Sequence, residues 1–109
     1  MFNTTYLIIP DVVASDCNLN FFDRLLYGKI YSLSKQQGYC WASNSYLSKY
    51  FGVTTIYVSN AIGRLVENGY LNLSFDNSKP NDKKRSITIN YNALEKIDNS
   101  CDKDDSYKL

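Results

Sequence analysis

The chain has 109 residues, of which 44% are hydrophobic and 15% aromatic, so one domain can bury a core without metal or disulfide support. Its three cysteines are far apart in sequence and histidine is absent, which leaves too few ligands for a zinc site. No apolar run approaches the roughly 20 residues needed to span a bilayer, and no signal peptide is evident. We therefore expect one domain of a cytoplasmic protein whose cysteines are reduced.

The formal net charge of +1 hides an uneven distribution along the chain. Residues 24–96 carry ten bases against four acids, a net +6, whereas residues 1–23 and 97–109 are net acidic at −3 and −2. A basic module between acidic ends is typical of a surface that binds phosphate groups. Ordinary solvated charge is the alternative interpretation.

The first predicted elements occupy residues 6–35. Residues 6–9 are apolar and end at Pro10, which predicts a short strand or an extended arm, followed by one helical turn over Asp11–Ala14. Apolar residues then recur at helical spacing, which predicts a long helix over residues 20–35. Asn18 or Asn20 can cap its start, and Gly38 lies where the chain turns out of it.

The next elements are a short aromatic strand, two helices and a hairpin. Residues 39–42 predict the strand, Ser43 or Asn44 caps a second helix that Gly52 ends, and Thr54 caps a third helix over residues 54–68. The third helix has an apolar face made of Val58, Ala61, Ile62, Leu65 and Val66. Two alternating segments, 70–75 and 85–89, predict a β-hairpin whose polar tip is residues 76–84.

The last predicted element is a helical turn around residues 93–97. The domain therefore covers residues 1–96, and residues 97–109 predict a disordered acidic tail because they are polar and contain few apolar residues.

Residues 44–63 have the spacing of a helix-turn-helix motif. In such a motif Leu47 would pack between the two helices, and Ser48 is small where they approach most closely. Gly52 would form the turn, with Val53 packed beneath it. Val58 and Ala61 would face inward from the second helix. A three-helix core followed by a C-terminal β-hairpin wing predicts an α+β fold, the winged helix-turn-helix.

Four stretches of sequence resemble the winged-helix domains of bacterial phage and plasmid replication initiators, replisome organisers and related regulators. They are LLYG at 25–28, GYCWASN at 38–44, YFGV at 50–53 and LVENGYL at 65–71. The resemblance covers residues 6–90 and implies a double-stranded DNA-binding protein of a phage, plasmid or related mobile element. It would regulate transcription or assist replication. Such proteins often carry a further C-terminal domain, so a chain ending after the wing favours a stand-alone regulator or accessory factor.

The third helix supplies the candidate base-reading residues. Thr55 lies at its amino end, where a hydroxyl and free amides favour a phosphate, although capping is an equal alternative. Asn60 can bond an adenine edge, and Tyr57 can bond a phosphate or pack on a thymine methyl. Arg64 can reach a phosphate or guanine, and Ser59 is a weaker candidate. Plain solvation is the alternative for Asn60 and Arg64.

The wing supplies the candidate phosphate contacts. Lys79, Lys83, Lys84 and Arg85 surround the hairpin tip, and Lys49 near the end of the second helix is a weaker candidate. Charged loop tips also occur merely for solubility, which is the alternative.

The chain contains one tryptophan and ten tyrosines, and aromatic rings can stack on single-stranded bases. Trp41, Tyr46, Tyr50 and Tyr70 fall at positions predicted to pack between the helices and the small sheet. Only Tyr57 is predicted to project from the recognition face.

The sequence has no histidine, metal cluster or phosphate-binding glycine loop, so we expect neither an enzyme nor a cofactor or metal site. An alternative to DNA binding is a protein-binding module, such as a small inhibitor of a host protein, with Ile56 and Tyr57 as apolar anchors. A homodimer formed through residues 6–9 or the tail is also open.

Overall fold

The computed structural model describes residues 6–76 and 84–95. Within these ranges, four helices precede a two-stranded antiparallel sheet and a final 3-10 turn. The helices are α1 (Asp11–Ala14), α2 (Phe21–Gln37), α3 (Asn44–Phe51) and α4 (Thr55–Glu67); the strands are β1 (Leu71–Asp76) and β2 (Lys84–Ile89), and the turn is Tyr91–Glu95. The predicted α+β winged helix-turn-helix fold is confirmed, with α2, α3 and α4 as its three main helices.

Side-chain oxygens cap the start of each main helix. The caps are Asn20 Oδ1, which accepts from the Asp23 amide at 2.9 Å; Ser43 Oγ, which accepts from the Tyr46 amide at 3.0 Å; and Thr54 Oγ1, which accepts from the Tyr57 amide at 3.1 Å. Each bond satisfies an amide that has no partner within its helix and stabilises the element by about 1 kcal/mol. Of the alternatives that the sequence left open, Asn20 and Ser43 are the caps.

Glycines in the left-handed conformation end α2 and α3. Gly38 has φ +85° and Gly52 has φ +73°, a region that is strained for residues with a Cβ. Both ends lie where the sequence predicted them.

The core lies between α2, α4 and the inner face of the hairpin. Its largest fully buried side chains are Leu26, Tyr27, Ile30, Leu47, Leu65, Tyr70, Leu71 and Ile87. Burial of each aliphatic member contributes about 1.5–3 kcal/mol, which gives the small domain its main driving force for folding. The predicted inner face of α4 is buried at Val58, Ala61, Ile62 and Leu65, and half-buried at Val66.

The hairpin pairs Leu71 with Ile89, Leu73 with Ile87 and Phe75 with Arg85. The predicted strand over residues 39–42 is shorter than expected, because only Cys40 forms a bridge, to Ile87. The predicted flexible tip is described only at its two ends, and its residues 77–83 lie outside the described residues, as does the predicted acidic tail, 97–109.

The segment before α1 is an arm and not a strand, since residues 6–10 have no sheet partner among the described residues. It crosses α2 closely at Gly28. A Cβ at Gly28 would lie 3.0 Å from Ile9 Cγ1 and 3.3 Å from Leu7 Cβ, closer than ordinary packing. The crossing therefore favours a residue without a side chain at this position of α2, because a Cβ would make Ile9 and Leu7 shift by a few tenths of an ångström.

Candidate nucleic-acid interface

The turn between α3 and α4 has the geometry that a helix-turn-helix motif requires. The Ser48 carbonyl accepts from the amides of Gly52 at 2.8 Å and Val53 at 3.0 Å, which closes the turn tightly after α3. Leu47 and Ser48 are buried, and Val53 is half-buried against the core. The sequence predictions for these positions are confirmed, and α4 is held with one face inward and the other toward solvent.

The outward face of α4 carries no charged side chain between residues 55 and 63. Its exposed residues there are Thr55, Ile56, Tyr57, Ser59, Asn60 and Gly63. Ile56 is the most prominent side chain, 71% exposed, and Tyr57 is 42% exposed with its ring 4.8 Å from that of Phe22. The structure therefore brings four predicted base-reading residues onto one exposed surface.

Arg64, the fifth predicted reader, is paired with a buried carboxylate of α2. Its Nε donates to Asp23 Oδ2 at 2.7 Å and an Nη donates to Asp23 Oδ1 at 2.9 Å. The carboxylate is fully buried, whereas the arginine side chain is 35% exposed. Hydrogen bonding to Asp23 raises the pKa of the Arg64 guanidinium above its ordinary value. This bidentate ion pair joins α4 to the first turn of α2, so the Arg64 side chain is not free to extend toward DNA.

Arg85, predicted as a phosphate contact in the wing, is also anchored internally. Its two terminal nitrogens donate to Asn44 Oδ1 at 2.8 Å and to the Ala42 carbonyl at 2.7 Å. Burial lowers the pKa of its guanidinium. The side chain joins β2 to the start of α3, which fixes the wing beside the helix-turn-helix.

The remaining predicted bases have different positions. Lys49 is exposed on α3. Lys79 and Lys83 lie outside the described residues, and of Lys84 only the backbone is described, paired with Asp76. Phosphate contacts by the wing lysines remain a prediction.

Acidic residues are absent from a long part of the sequence around this surface. Residues 24–66, which include nearly all of α2, α3 and α4, contain five bases and no aspartate or glutamate. The segment that contains most of the motif therefore has an excess of bases although the net charge of the chain is only +1.

Three aromatic side chains predicted to be buried are exposed. Trp41 is 46% exposed, Tyr46 is 37% exposed and Tyr50 is 50% exposed, whereas Tyr70 is fully buried as predicted. The prediction was wrong for the first three because they pack on one another along the outer side of α3. We call these three residues the aromatic row.

The aromatic row has regular ring contacts and a cation at one end. The Trp41 and Tyr46 centroids are 5.3 Å apart, and those of Tyr46 and Tyr50 are 6.4 Å apart with planes at 19°. Lys29 Nζ lies 4.1 Å from the Tyr50 centroid, a close cation–π contact. This exposed group was not predicted from the sequence, although the spacing of Tyr46 and Tyr50 by four residues places both on one helical face.

A tight helix-helix turn, an exposed second helix and a hairpin directly after it define a winged helix-turn-helix domain. Residues 18–71 match the model of a protein family described as a helix-turn-helix domain, a range that begins before α2 and ends at the start of β1. The match supports a helix-turn-helix DNA-binding domain, with DNA as partner. Neither curated proteins nor solved structures give a match to the chain.

Within residues 6–76 and 84–95, no three His, Cys, Asp or Glu side chains are grouped to hold a metal ion. In the same ranges, no helix has the length and hydropathy needed to cross a membrane.

Proposed function

We propose that the domain binds double-stranded DNA, with α4 in the major groove and the hairpin wing along the adjacent backbone. The observation that carries this proposal is the exposed, uncharged face of α4 from Thr55 to Gly63. An α-helix fits the major groove of about 12 Å, where amide and hydroxyl groups can bond base edges. Asn60 is the main candidate reader, and Ile56 can pack against a thymine methyl group.

Gly63 supports a close approach by a partner. It lies inside α4, where glycine costs roughly 0.5–1 kcal/mol relative to alanine. A Cβ built at Gly63 meets no atom within 4 Å, so packing within the described residues does not require glycine there. A partner whose backbone must come near the helix gives a reason for this residue.

Most of the affinity would come from phosphate contacts, because α4 offers little charge. Arg64 and Arg85 are engaged inside the domain. The proposed contacts are therefore Lys49 on α3 together with Lys79, Lys83 and Lys84 of the wing. Each neutralised phosphate releases counterions and adds to the salt dependence of binding.

The biological role that we propose is regulation of transcription, or assistance of replication, in a phage, plasmid or related mobile element. It rests on the sequence resemblance described above. No catalytic activity is proposed. Binding as a homodimer to two half-sites about 34 Å apart is part of the proposal, since regulators with this motif commonly bind that way.

The test begins with a selection of bound fragments from random duplex DNA at physiological salt, which should yield a preferred site, palindromic for a dimer. On that site, Asn60→Ala should relax specificity at one base pair by about 1–3 kcal/mol. Asn92→Ala, which removes an exposed amide from the last turn, is the matched control and should leave specificity unchanged.

The phosphate contact is tested by the salt dependence of duplex affinity. Lys49→Ala should reduce the slope of log affinity against log salt by about 1, whereas Lys35→Ala, at the far end of α2, should not. Lys83→Ala/Lys84→Ala should reduce the slope further, and this double variant leaves the internal bonds of Arg85 intact. Failure to enrich any sequence, with no effect of Lys49→Ala, would contradict duplex binding.

A second candidate is docking of a host or replication protein on α4. The high exposure of Ile56 beside Tyr57 favours it, because such side chains anchor protein interfaces. In that case Ile56→Ala should abolish capture of the partner, while the lysine variants should have little effect.

A further inference from the structure

The aromatic row on α3 is not needed to close the core. Each of its three rings is more than one-third exposed, and none belongs to the buried cluster or to the partly buried side chains packed against it. Adjacent large rings on a surface form an apolar patch, which folded monomers seldom expose without a binding role. The exposed aromatic row is therefore a candidate binding surface.

The charges around the row favour a polyanion. Lys29 lies over the Tyr50 ring at one end of the row, and Lys49, the residue before Tyr50, is exposed on α3. No aspartate or glutamate occurs in residues 24–66, which contain all five of these side chains. An acidic ligand with flat apolar groups would satisfy both the lysines and the rings.

The geometry of the row suits bases that have left the duplex. Successive ring centroids are 5.3 Å and 6.4 Å apart, wider than the rise of about 3.4 Å between stacked bases in one strand of a duplex. An unpaired base can stack on the parts of these rings that solvent reaches, whereas bases paired within a duplex keep their faces covered.

The row also continues into the surface proposed for duplex DNA. Tyr50 contacts Phe51 at 4.8 Å, Phe51 contacts Phe22 at 5.1 Å, and Phe22 contacts Tyr57 of α4 at 4.8 Å. Phe51 and Phe22 are partly buried against the core, so these contacts fix the position of the row relative to Tyr57 of α4.

We propose that the aromatic row, with Lys29 and Lys49, is a stacking platform for unpaired bases of single-stranded DNA. The rings supply stacking that tolerates any base, and the two lysines supply attraction to the phosphates. This site is separate from the base-reading face of α4 and does not require duplex binding there.

The test uses Trp41, the single tryptophan of the chain, as its own probe. An oligothymidylate, which cannot pair with itself, is titrated into the full-length protein while tryptophan fluorescence is followed. A blunt duplex of matched length is titrated in parallel. Stacking predicts saturable quenching by the single strand at lower concentrations than by the duplex.

Variants separate stacking from simple charge attraction. Tyr46→Ala should weaken binding of the oligothymidylate by about 5-fold to more than 100-fold, which corresponds to the loss of one stacked base. Tyr46→Trp should retain binding, measured by anisotropy of a labelled oligothymidylate because it adds a second tryptophan. Tyr91→Ala, an exposed tyrosine whose ring contacts Tyr31, is the matched control and should bind as the parent does.

Three results would overturn the proposal. The first is that Trp41 fluorescence does not change at high concentrations of the single strand. The second is that the single strand and the duplex quench it equally. The third is that the Tyr46→Ala and Tyr91→Ala proteins bind the oligothymidylate with equal affinity. Circular dichroism of each variant establishes that it is folded. A row that instead binds a protein partner would give the first of these results.

Discussion

The outward faces of α3 and α4 belong to the same helix-turn-helix motif but have different chemistry. Between residues 55 and 63, α4 presents polar groups, Ile56 and one tyrosine without charge, whereas α3 presents Tyr46, Tyr50 and Lys49 next to Trp41. The helix expected to read bases is therefore poor in the charge that gives affinity. The helix expected to be a support has rings and a cation.

The two arginines explain part of this difference. Arg64 and Arg85 look like ligands for DNA in the sequence, but each donates two hydrogen bonds within the domain, to Asp23 or to Asn44 and the Ala42 carbonyl. Their charge is used to hold α4 and the wing in place. A basic residue next to a recognition helix can therefore stabilise the fold instead of contacting the ligand.

The largest effect is expected when the ion pair between α2 and α4 is broken. Arg64→Ala leaves the fully buried Asp23 carboxylate without its partner and should lower the free energy of unfolding by about 3 kcal/mol, the lower end for buried pairs, because Arg64 is partly exposed. Urea unfolding followed by circular dichroism measures the loss. Lys49→Ala, which removes an exposed base, should change stability by less than about 0.5 kcal/mol. If Arg64→Ala instead lowers only DNA affinity, the structural role is contradicted.

A smaller effect of opposite sign is expected on the exposed face of α4. Gly63→Ala should raise the free energy of unfolding by about 0.5–1 kcal/mol, because alanine is the better helix former and its methyl group meets open space. The same methyl group should weaken duplex binding by about 1–3 kcal/mol where the DNA packs closely.

Gly28→Ala provides the contrasting glycine within α2. There the added Cβ would crowd Ile9 and Leu7, so the substitution should destabilise the domain. If the Gly63→Ala protein is more stable than the parent and binds duplex DNA equally well, Gly63 is no longer an argument for duplex binding.

The smallest effect is expected on the pH dependence of stability, through Cys40 next to Trp41. Cys40 is fully buried, and burial raises the pKa of its thiol above the ordinary value of 9.0. Burial also raises the pKa of the Tyr27 hydroxyl. In the unfolded chain these groups lose their protons at lower pH than in the folded domain, so their contribution to stability is complete below pH 9 and falls as the pH rises further.

Unfolding in urea at several alkaline pH values measures this decline. The decline should be shallower in Cys40→Ala than in the parent. Equal slopes in the two proteins would mean that burial does not raise the pKa of the Cys40 thiol.

Local signals in the sequence were sufficient for the architecture. Helical spacing, the caps at Asn20, Ser43 and Thr54, and the glycines at 38 and 52 placed the main helices to within about two residues. These signals act between residues close in the chain, so a single sequence contains them. The polar face of α4 follows from the same periodicity.

Long-range pairing was not accessible in this way. Asp23 and Arg64 are 41 residues apart, as are Arg85 and Asn44, and no local pattern marks such partners. The exposure of Trp41, Tyr46 and Tyr50 likewise depends on which surface α3 leaves uncovered when it packs on α4. Their positions along the chain predicted packing between the helices and the small sheet, because large aromatic residues at helical spacing are usually buried.

The amino-acid sequence by itself thus determined the order of helices and strands, the turn of the motif and the polar face of α4, because each depends on spacing and capping over a few residues. Only the tertiary structure decided which arginines are committed to the fold and which rings face solvent. Those outcomes depend on packing between segments that are distant in the chain, where a buried carboxylate fixes one cation and an uncovered helix face leaves a row of aromatic rings exposed.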